Sequence, residues 1–406
     1  MNRRTRISPR AVPLLLPLLI LHLPPLHAAP VDSRVAECLA VIARAGPQGT
    51  GSAAAREARD ELARHGVEIL PQLLAAMDTS NPVAANWCRT VYEEIVDRGF
   101  KQEGAAWPRE FLKEYVSDAR RAGRPRDLAL SLLERLEPGF RDAWLPGRLD
   151  DPPFRHQAVA LALAAGDRAL REKNAEQAKI EFRKAFDHAR DSGQLTQAAS
   201  NLKALGEPAD VIEHLGLIID WWLVGPFDAP DKSGFAAVFE PENRVDLAAR
   251  YKGKAGEIRW TRHTATDPLG QLNLIEAVAA TREAVGYAYT EIDVPHETAV
   301  QLRCGADDNC TVWLNGKKVF GREQWLNGTR FDRFISDITL KSGRNTLLVK
   351  ICQGPQHKDP EVPNNWSLQL RLCDESGKGI GFKLALRPAK VVAPEKATAD
   401  DADTRG

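Results

Sequence analysis

The sequence predicts a multidomain α plus β protein, in which an N-terminal, solenoid-like α-helical repeat region precedes a C-terminal antiparallel β-sandwich. Residues 31–216 are rich in alanine, leucine and arginine and place apolar residues at helical spacing. After residue 219 the pattern changes to short segments in which apolar and polar residues alternate between turn residues. A chain of 406 residues is also too long for one ordinary domain. We therefore predict a helical domain at 31–216 and a β-sandwich at 219–387.

The first 29 residues have the composition of a secretory signal peptide. Four arginines among the first ten residues precede the apolar run Val12–Leu26, and the small residues Ala28 and Ala29 follow it. Prolines interrupt the run, which argues against a membrane-spanning helix. We expect an exported protein, periplasmic or secreted, with no membrane span after cleavage. The alternative is an uncleaved anchor.

Charge and composition exclude several functional classes. Lysine plus arginine and aspartate plus glutamate each number 55, so no global field favours nucleic acid, and we expect no nucleic-acid partner. No Cys/His spacing indicates zinc, and no cofactor is expected. Residues 388–406 are small or charged and lack large apolar groups, which predicts a disordered tail.

The helical half contains clear start signals and apolar stripes. Asn81 before Pro82 predicts an N-cap, and Val83, Trp87, Val91 and Ile95 then repeat every four residues. Gly66 separates two helical segments, 52–65 and 67–77, where a left-handed cap would end the first of them.

The same half suggests helical repeats. Ala178, Phe182, Ala185, Phe186 and Ala189 form the apolar stripe of another helix, and a further helix follows Gln194. Paired helices joined by short turns resemble HEAT-like repeats, and residues 164–205 resemble a tetratricopeptide-like pair. Such repeats imply a protein partner. A plain helical bundle explains the pattern as well.

The C-terminal half predicts about eight short strands and hence a jelly-roll sandwich. Asn315-Gly316 suits a type I′ hairpin turn, because both residues tolerate positive φ. Leu347, Val349 and Ile351 alternate with polar or outward positions, as in a half-buried strand. The predicted strands are 286–294, 298–304, 310–314, 317–320, 331–340, 345–352, 366–373 and 379–386.

Three segments carry a resemblance to a known fold. Gly305–Asp308, Val312–Lys317 and Leu340–Lys350 together resemble the galactose-binding-like jelly roll. The opening Asp220–Phe227 is also similar to the first strand of such modules in large exported bacterial proteins. The resemblance implies a sugar-binding module beside glycoside hydrolases, or an accessory domain in secreted bacterial proteins.

Asp307 and Asp308 are the most distinctive polar pair. They could accept hydrogen bonds from sugar hydroxyls, or join backbone carbonyls in a structural calcium site. They could equally accept local backbone N–H bonds in a loop without any ligand.

Aromatic and amide side chains supply further candidates. Trp313, Trp325 and Trp366 could form a platform against sugar rings, although Trp313 has the opposite strand parity to its apolar neighbours and could instead pack against another element. Asn364, with Asn365 and Gln353, lies in or beside a late loop that is either a rim of contacts or a rigid connector.

Cys304 and Cys310 flank one predicted hairpin loop and could form a disulfide across its strands. Buried free thiols are the alternative for them, and the expectation for Cys38, Cys88, Cys352 and Cys373.

No nucleophile elbow, HExxH helix or phosphate loop occurs in the sequence. We therefore expect a non-catalytic exported protein whose sandwich binds carbohydrate or a cell-surface polymer and whose helices bind protein. The alternatives are a structural assembly protein without a sugar ligand, and a carbohydrate-cleaving enzyme with its site between the two halves.

Overall fold

The computed structural model describes residues 33–325, 328–359, 361–362 and 364–385. The predicted signal peptide, 1–29, and the predicted tail, 388–406, lie outside the described residues. The described chain divides into two compact units that meet in sequence between Arg141 and Asp142. Helices 152–204 therefore belong to the same unit as the β-strands.

The first unit is helical. Asn81 caps the fourth helix as expected, because its side chain accepts hydrogen bonds from the N–H groups of Val83 and Ala84. Of the predicted stripe, Val91 and Ile95 are buried, whereas Val83 and Trp87 are half-buried beside the buried Ala84 and Cys88. The helices are α1 (Ser33–Ile42), α2 (Ser52–Leu62), α3 (Leu70–Ala76), α4 (Pro82–Gly99), α5 (Arg109–Ser117) and α6 (Gly123–Leu136).

Consecutive helices of this unit pack in pairs, α1 with α2, α3 with α4 and α5 with α6. These contacts do not establish a repeating unit, so the HEAT- or tetratricopeptide-like assignment stays a prediction. The left-handed cap expected at Gly66 is wrong, because Gly66 has φ of −94°. Its N–H donates to the Glu68 carboxylate instead, and α2 has already ended at Leu62.

The second unit begins with further helices and continues into the sandwich. Phe182 packs directly on Gly166 of the facing helix, where a Cβ would lie 2.6 Å from the ring. The absent side chain lets the two helices approach closely. A short helix, α7 (Phe140–Trp144), is followed by α8 (Pro152–Arg171), α9 (Ala175–His188), α10 (Ser192–Ala204) and α11 (Val211–Leu215).

The predicted antiparallel sandwich is confirmed. Its strands are β1 (Asp220–Asp228), β2 (Arg250–Lys252), β3 (Glu257–Arg259), β4 (Thr261–Thr264), β5 (Leu272–Asn273), β6 (Ala284–Val294), β7 (Thr298–Ala306), β8 (Asn309–Leu314), β9 (Lys317–Arg322), β10 (Phe334–Leu340), β11 (Gly343–Gln353), β12 (Ser367–Cys373) and β13 (Lys383–Leu384). One sheet has the order β4-β1-β6-β11-β8-β9, with β13 beside β6, and the other has the order β10-β7-β12-β5. Strands β2 and β3 form a separate ribbon.

The core lies between the two sheets and follows the period of two along each strand. Leu347, Val349 and Ile351 of β11 face Leu368 and Leu370 of β12 across this core, all buried. The strands predicted from alternation are therefore observed with small changes at their ends, except that 379–386 contains only the short β13. Strands β2 to β5 have two to four residues each, too few for a readable alternation.

A second apolar cluster lies on the outer face of the larger sheet. The segment 229–260, with α12 (Glu240–Asn243), covers Tyr287 and Leu348 there. Lys350, 1% exposed, donates to Glu242 Oε1 at 2.8 Å and to the carbonyl of Ala237. This buried ion pair joins the covering segment to the middle of the sheet.

The remaining short helix, α13 (Leu274–Ala277), lies between β5 and β6. Among the described helices, none has the length and apolar character needed to cross a membrane.

Candidate functional site

The loop after β7 carries the chain from one sheet to the other. Strand β7 belongs to the smaller sheet and β8 to the larger, so Asp307 and Asp308 lie at a corner of the sandwich. The hairpin predicted between Cys304 and Cys310 is therefore wrong. The true hairpin is β8–β9, where Asn315 and Gly316 have φ of 52° and 78°, as a type I′ turn requires.

Asp307 is buried at this corner, with 6% of its surface exposed. Its Oδ1 accepts hydrogen bonds from the backbone N–H of Asp308 at 3.1 Å and of Gly328 at 3.0 Å. Its own N–H donates to the carbonyl of Ser367 on β12. The other carboxylate oxygen, Oδ2, has no hydrogen-bond donor among the described residues.

Asp308 adopts the left-handed conformation, with φ of 57°, which aspartate tolerates better than most residues. Its Oδ2 accepts from the N–H of Gly354 at 2.7 Å, which ties the β7–β8 corner to the end of β11. A Cβ at Gly354 would lie 2.8 Å from this oxygen, so only glycine allows the approach.

The Asp307 carboxyl is electrostatically perturbed. Burial, and after it the charge of the neighbouring Asp308, raise the pKa of Asp307 to about 6, a value that already includes the opposing effects of the backbone N–H donors and Arg333. A carboxylate kept in a place that disfavours its charge is a common feature of functional sites, though structural networks also produce it.

A cavity of about 170 Å³ opens beside the two aspartates. Loops at one end of the sandwich supply its walls, and most of the lining residues are polar. Its polar lining includes Arg282, Asp307, Asp308, Gln353, His357 and Asn364. Asn364, Asn365 and Gln353, the candidate rim residues, all line this cavity, and their contact with a ligand stays a prediction.

The amides beside the cavity form an ordered chain of hydrogen bonds. Asn364 Nδ2 donates to the carbonyl of Thr281 at 3.3 Å, which fixes the orientation of the Asn364 amide. Asn364 Oδ1 consequently accepts from Gln353 Nε2. Gln353, 3% exposed, is thus left with Oε1 as its remaining polar atom, and no described residue donates to it.

The three tryptophans do not form a platform. Trp366 is fully buried between the sheets and donates to the carbonyl of Ile351. Trp313 packs on the outer face of the larger sheet, as its parity indicated. Trp325 lies against Gly354, where a Cβ on the glycine would be 3.1 Å from the indole ring. Trp325 therefore lies next to the cavity but is not one of its lining residues.

Cys304 and Cys310 are free, buried thiols on opposite sheets. Contact with Cys304 and burial both raise the pKa of Cys310. The other four cysteines are also free and buried. The predicted disulfide is absent from this structure.

A larger depression, about 1,230 Å³, lies at the opposite ends of β7 and β8. Its charged side chains, Lys317, Lys318, Asp337, Asp374 and Glu375, are exposed, whereas the aspartates of the smaller cavity are buried. No group of three or more His, Cys, Asp or Glu side chains in the described part of the chain could hold a metal ion.

Two lining residues are not among the candidates from the sequence: Arg282, which precedes β6, and His357. No local pattern marks either residue, because their proximity to Asp307 arises from loops far apart in the chain. The N–H of Asp359 donates to His357 Nδ1 at 3.0 Å. The other ring nitrogen, Nε2, can therefore bind a different partner.

No family model and no curated protein sequence matches this chain. Among solved structures, the chain is similar to a GH2 beta-galacturonidase from Eisenbergiella tayi, with 10% identity and a TM-score of 0.24 over 41% of this chain and 25% of that chain. It is also similar to a family 35 carbohydrate binding module from Clostridium thermocellum, with 15% identity and a TM-score of 0.14 over 22% of this chain and 78% of that chain.

A third similar structure is the PA14 sugar-binding domain from an RTX adhesin, with 10% identity and a TM-score of 0.24 over 41% of this chain and 95% of that chain. This chain matches only about a quarter of the galacturonidase. TM-scores this low carry no argument about what the present chain binds.

Proposed function

We propose that this chain is an exported, non-catalytic binding protein whose sandwich binds carbohydrate in the cavity beside Asp307 and Asp308. The observation that supports the proposal most is the lining of that cavity. Two buried carboxylates and a buried amide, Gln353, meet there beside Arg282 and His357. Groups of this kind recognise hydroxyls through hydrogen bonds and fix the orientation of a small polar ligand.

The size of the cavity limits the ligand. Its volume of about 170 Å³ is below the range of pockets for drug-sized molecules, ~300–1,000 Å³, and suits one sugar ring better than a long chain. A single ring in such a site binds weakly, with a Kd on the order of 1 mM. The helical unit, in the same proposal, provides a surface for a protein partner.

The test is a binding panel on the full chain. Neutral monosaccharides, amino sugars and uronic acids are titrated by calorimetry, and insoluble polysaccharides are used in pull-down assays. We expect binding that Asp307→Asn weakens at least about tenfold, because one acceptor oxygen is lost. Asp337→Asn, an exposed carboxylate at the opposite end of the sandwich, is the matched control and is expected to bind like the wild type.

Absence of binding across the whole panel would overturn the proposal and favour an assembly protein. Equal weakening of sugar binding by Asp307→Asn and Asp337→Asn would also contradict it, because binding would then not depend on the cavity beside Asp307. Release of reducing sugar from any oligosaccharide would overturn the non-catalytic part of the proposal.

A further inference from the structure

The cavity offers hydrogen-bond acceptors that the protein does not satisfy. Asp307 Oδ1 is occupied by two backbone N–H groups, but no described residue donates to Oδ2. Asp307 and Gln353 are 6% and 3% exposed as whole residues, and both line the cavity. Their two acceptor oxygens open into the cavity without a donor from the described residues, so a donor from outside the chain can reach them there.

The orientation of Gln353 follows from its neighbours and makes this argument specific. The carbonyl of Thr281 can only accept, so it requires the NH₂ group of Asn364, whose oxygen then requires the NH₂ group of Gln353. Turning the Gln353 amide over would place two oxygens against each other. Gln353 Oε1 is therefore the polar atom of this side chain that keeps no partner among the described residues, and it is an acceptor.

The charges around the cavity agree with this pattern. Asp308 adds a second buried carboxylate, and Arg282 is the lining residue that carries positive charge among the described residues. Arg333 lies close enough to lower the pKa of Asp307, and its guanidinium donates to the carbonyl of Gly328 at 2.9 Å. A ligand carboxylate beside Asp307 Oδ2 would place acceptor against acceptor.

We infer that the cavity selects a neutral or amino sugar through at least two of its hydrogen-bond donors, which Asp307 Oδ2 and Gln353 Oε1 accept, and that it disfavours a sugar carboxylate at those positions. This inference rests on the proposed carbohydrate function and names the class of sugar. Arg282 and His357 also line the cavity and can donate hydrogen bonds to the ligand's oxygens.

Deoxyfluoro sugars test the inference on the unmodified protein. Fluorine replaces a hydroxyl at nearly the same size but donates no hydrogen bond. Methyl galactopyranoside and methyl glucopyranoside are titrated first, followed by the singly deoxyfluorinated analogues of whichever binds. We expect at least two ring positions at which fluorination weakens binding about tenfold or more, because a buried acceptor is then left without its donor.

Two variants assign the positions. Asp307→Asn keeps the Oδ1 acceptor but turns Oδ2 into a donor, so fluorination at one of the two sensitive positions should no longer matter. Gln353→Met removes the other acceptor at similar length and should abolish the second sensitivity. Far-UV circular dichroism confirms that both variants are folded, and Asp337→Asn should retain both sensitivities.

The outcomes separate this inference from the proposed function. Binding of a neutral glycoside that tolerates every single fluorination within about twofold would overturn the inference and leave carbohydrate binding intact. Tighter binding of the matching uronate would do the same. Loss of binding in EDTA with recovery on adding Ca²⁺ would show that the oxygens face a cation, and would also overturn it. Failure of both parent glycosides, together with the panel above, removes the proposed function itself.

Discussion

Two sets of buried charges in the sandwich are satisfied in different ways. On the outer face of the larger sheet, Lys350 meets Glu242 at 2.8 Å, and Tyr287 donates to the same carboxylate oxygen at 2.5 Å. At the sheet-crossing corner, Asp307 has no ion pair with the described residues and keeps one carboxylate oxygen without a donor. The first set is closed within the protein, and the second opens into a cavity.

This comparison indicates which buried polar residues are candidates for function: those whose polar atoms the protein itself does not fully satisfy. A buried pair that holds two elements together explains its own presence, as Lys350 does by fixing the segment 229–260 to the sheet. Arg371 behaves in the same way, with its guanidinium on Asp332 and on the carbonyls of Leu215 and Gly377. For Asp307, the fold accounts for one carboxylate oxygen but provides no donor to the other among the described residues. This second oxygen is the reason to consider a ligand.

The largest effect on stability is expected from removing the Lys350–Glu242 ion pair. Lys350→Met should lower the free energy of unfolding by about 3–5 kcal/mol, because Glu242, only 12% exposed, is left buried without its counter-ion. Urea unfolding followed by circular dichroism measures the change. Lys317→Met on the exposed edge strand should change stability by less than about 0.5 kcal/mol.

The double variant Lys350→Met with Glu242→Gln sharpens the point, since it removes both charges and should recover much of the loss. If the single and double variants are equally unstable, the ion pair is not what fixes the covering segment.

At Asp307 we expect a smaller effect of opposite sign, a gain in the free energy of unfolding. Burial raises the pKa of Asp307 above the unfolded value of 3.8 to about 6. Its stabilising contribution is fully present below about pH 4 and is lost as the pH rises through about 6. Asp307→Asn should therefore raise the free energy of unfolding at pH 7 by about 1–2 kcal/mol, after allowance for screening by solvent in the cavity.

The same substitution should flatten the pH dependence of stability between pH 4 and pH 7, as urea titrations at several pH values would show. A variant that is more stable but binds less sugar is the signature of a binding residue. Destabilisation at pH 7 would instead make Asp307 a structural turn residue.

The smallest effect concerns a neutral group. Thr290 has the strand parity of the core between the sheets and is fully buried, and no described residue forms a hydrogen bond with its hydroxyl. Thr290→Val keeps the shape and removes the unsatisfied hydroxyl, so thermal unfolding should show a gain of about 1 kcal/mol. Thr339→Val, exposed on β10, should show little change. A loss at Thr290 would mean that its hydroxyl is satisfied after all.

Local chemistry made much of the fold predictable. The Asn81 cap, the Asn315-Gly316 turn and the alternation of β11 depend on interactions within a few residues, so the sequence alone indicates them. The Gly66 cap failed because the Glu68 side chain offered its N–H another acceptor. The short strands β2 to β5 depend on distant partners, and their residues carry no pattern of their own.

The candidate site divides in the same way. The sequence by itself determined that Asp307 and Asp308 occupy a polar turn and that Gln353 and Asn364 lie near loops. Only the tertiary structure decided that the turn crosses between sheets, that Trp366 and Trp313 are packing residues, and that Thr281 orients the amides. The physical reason is that burial and hydrogen-bond partners come from segments far apart in sequence, and these decide which polar atoms remain for a ligand.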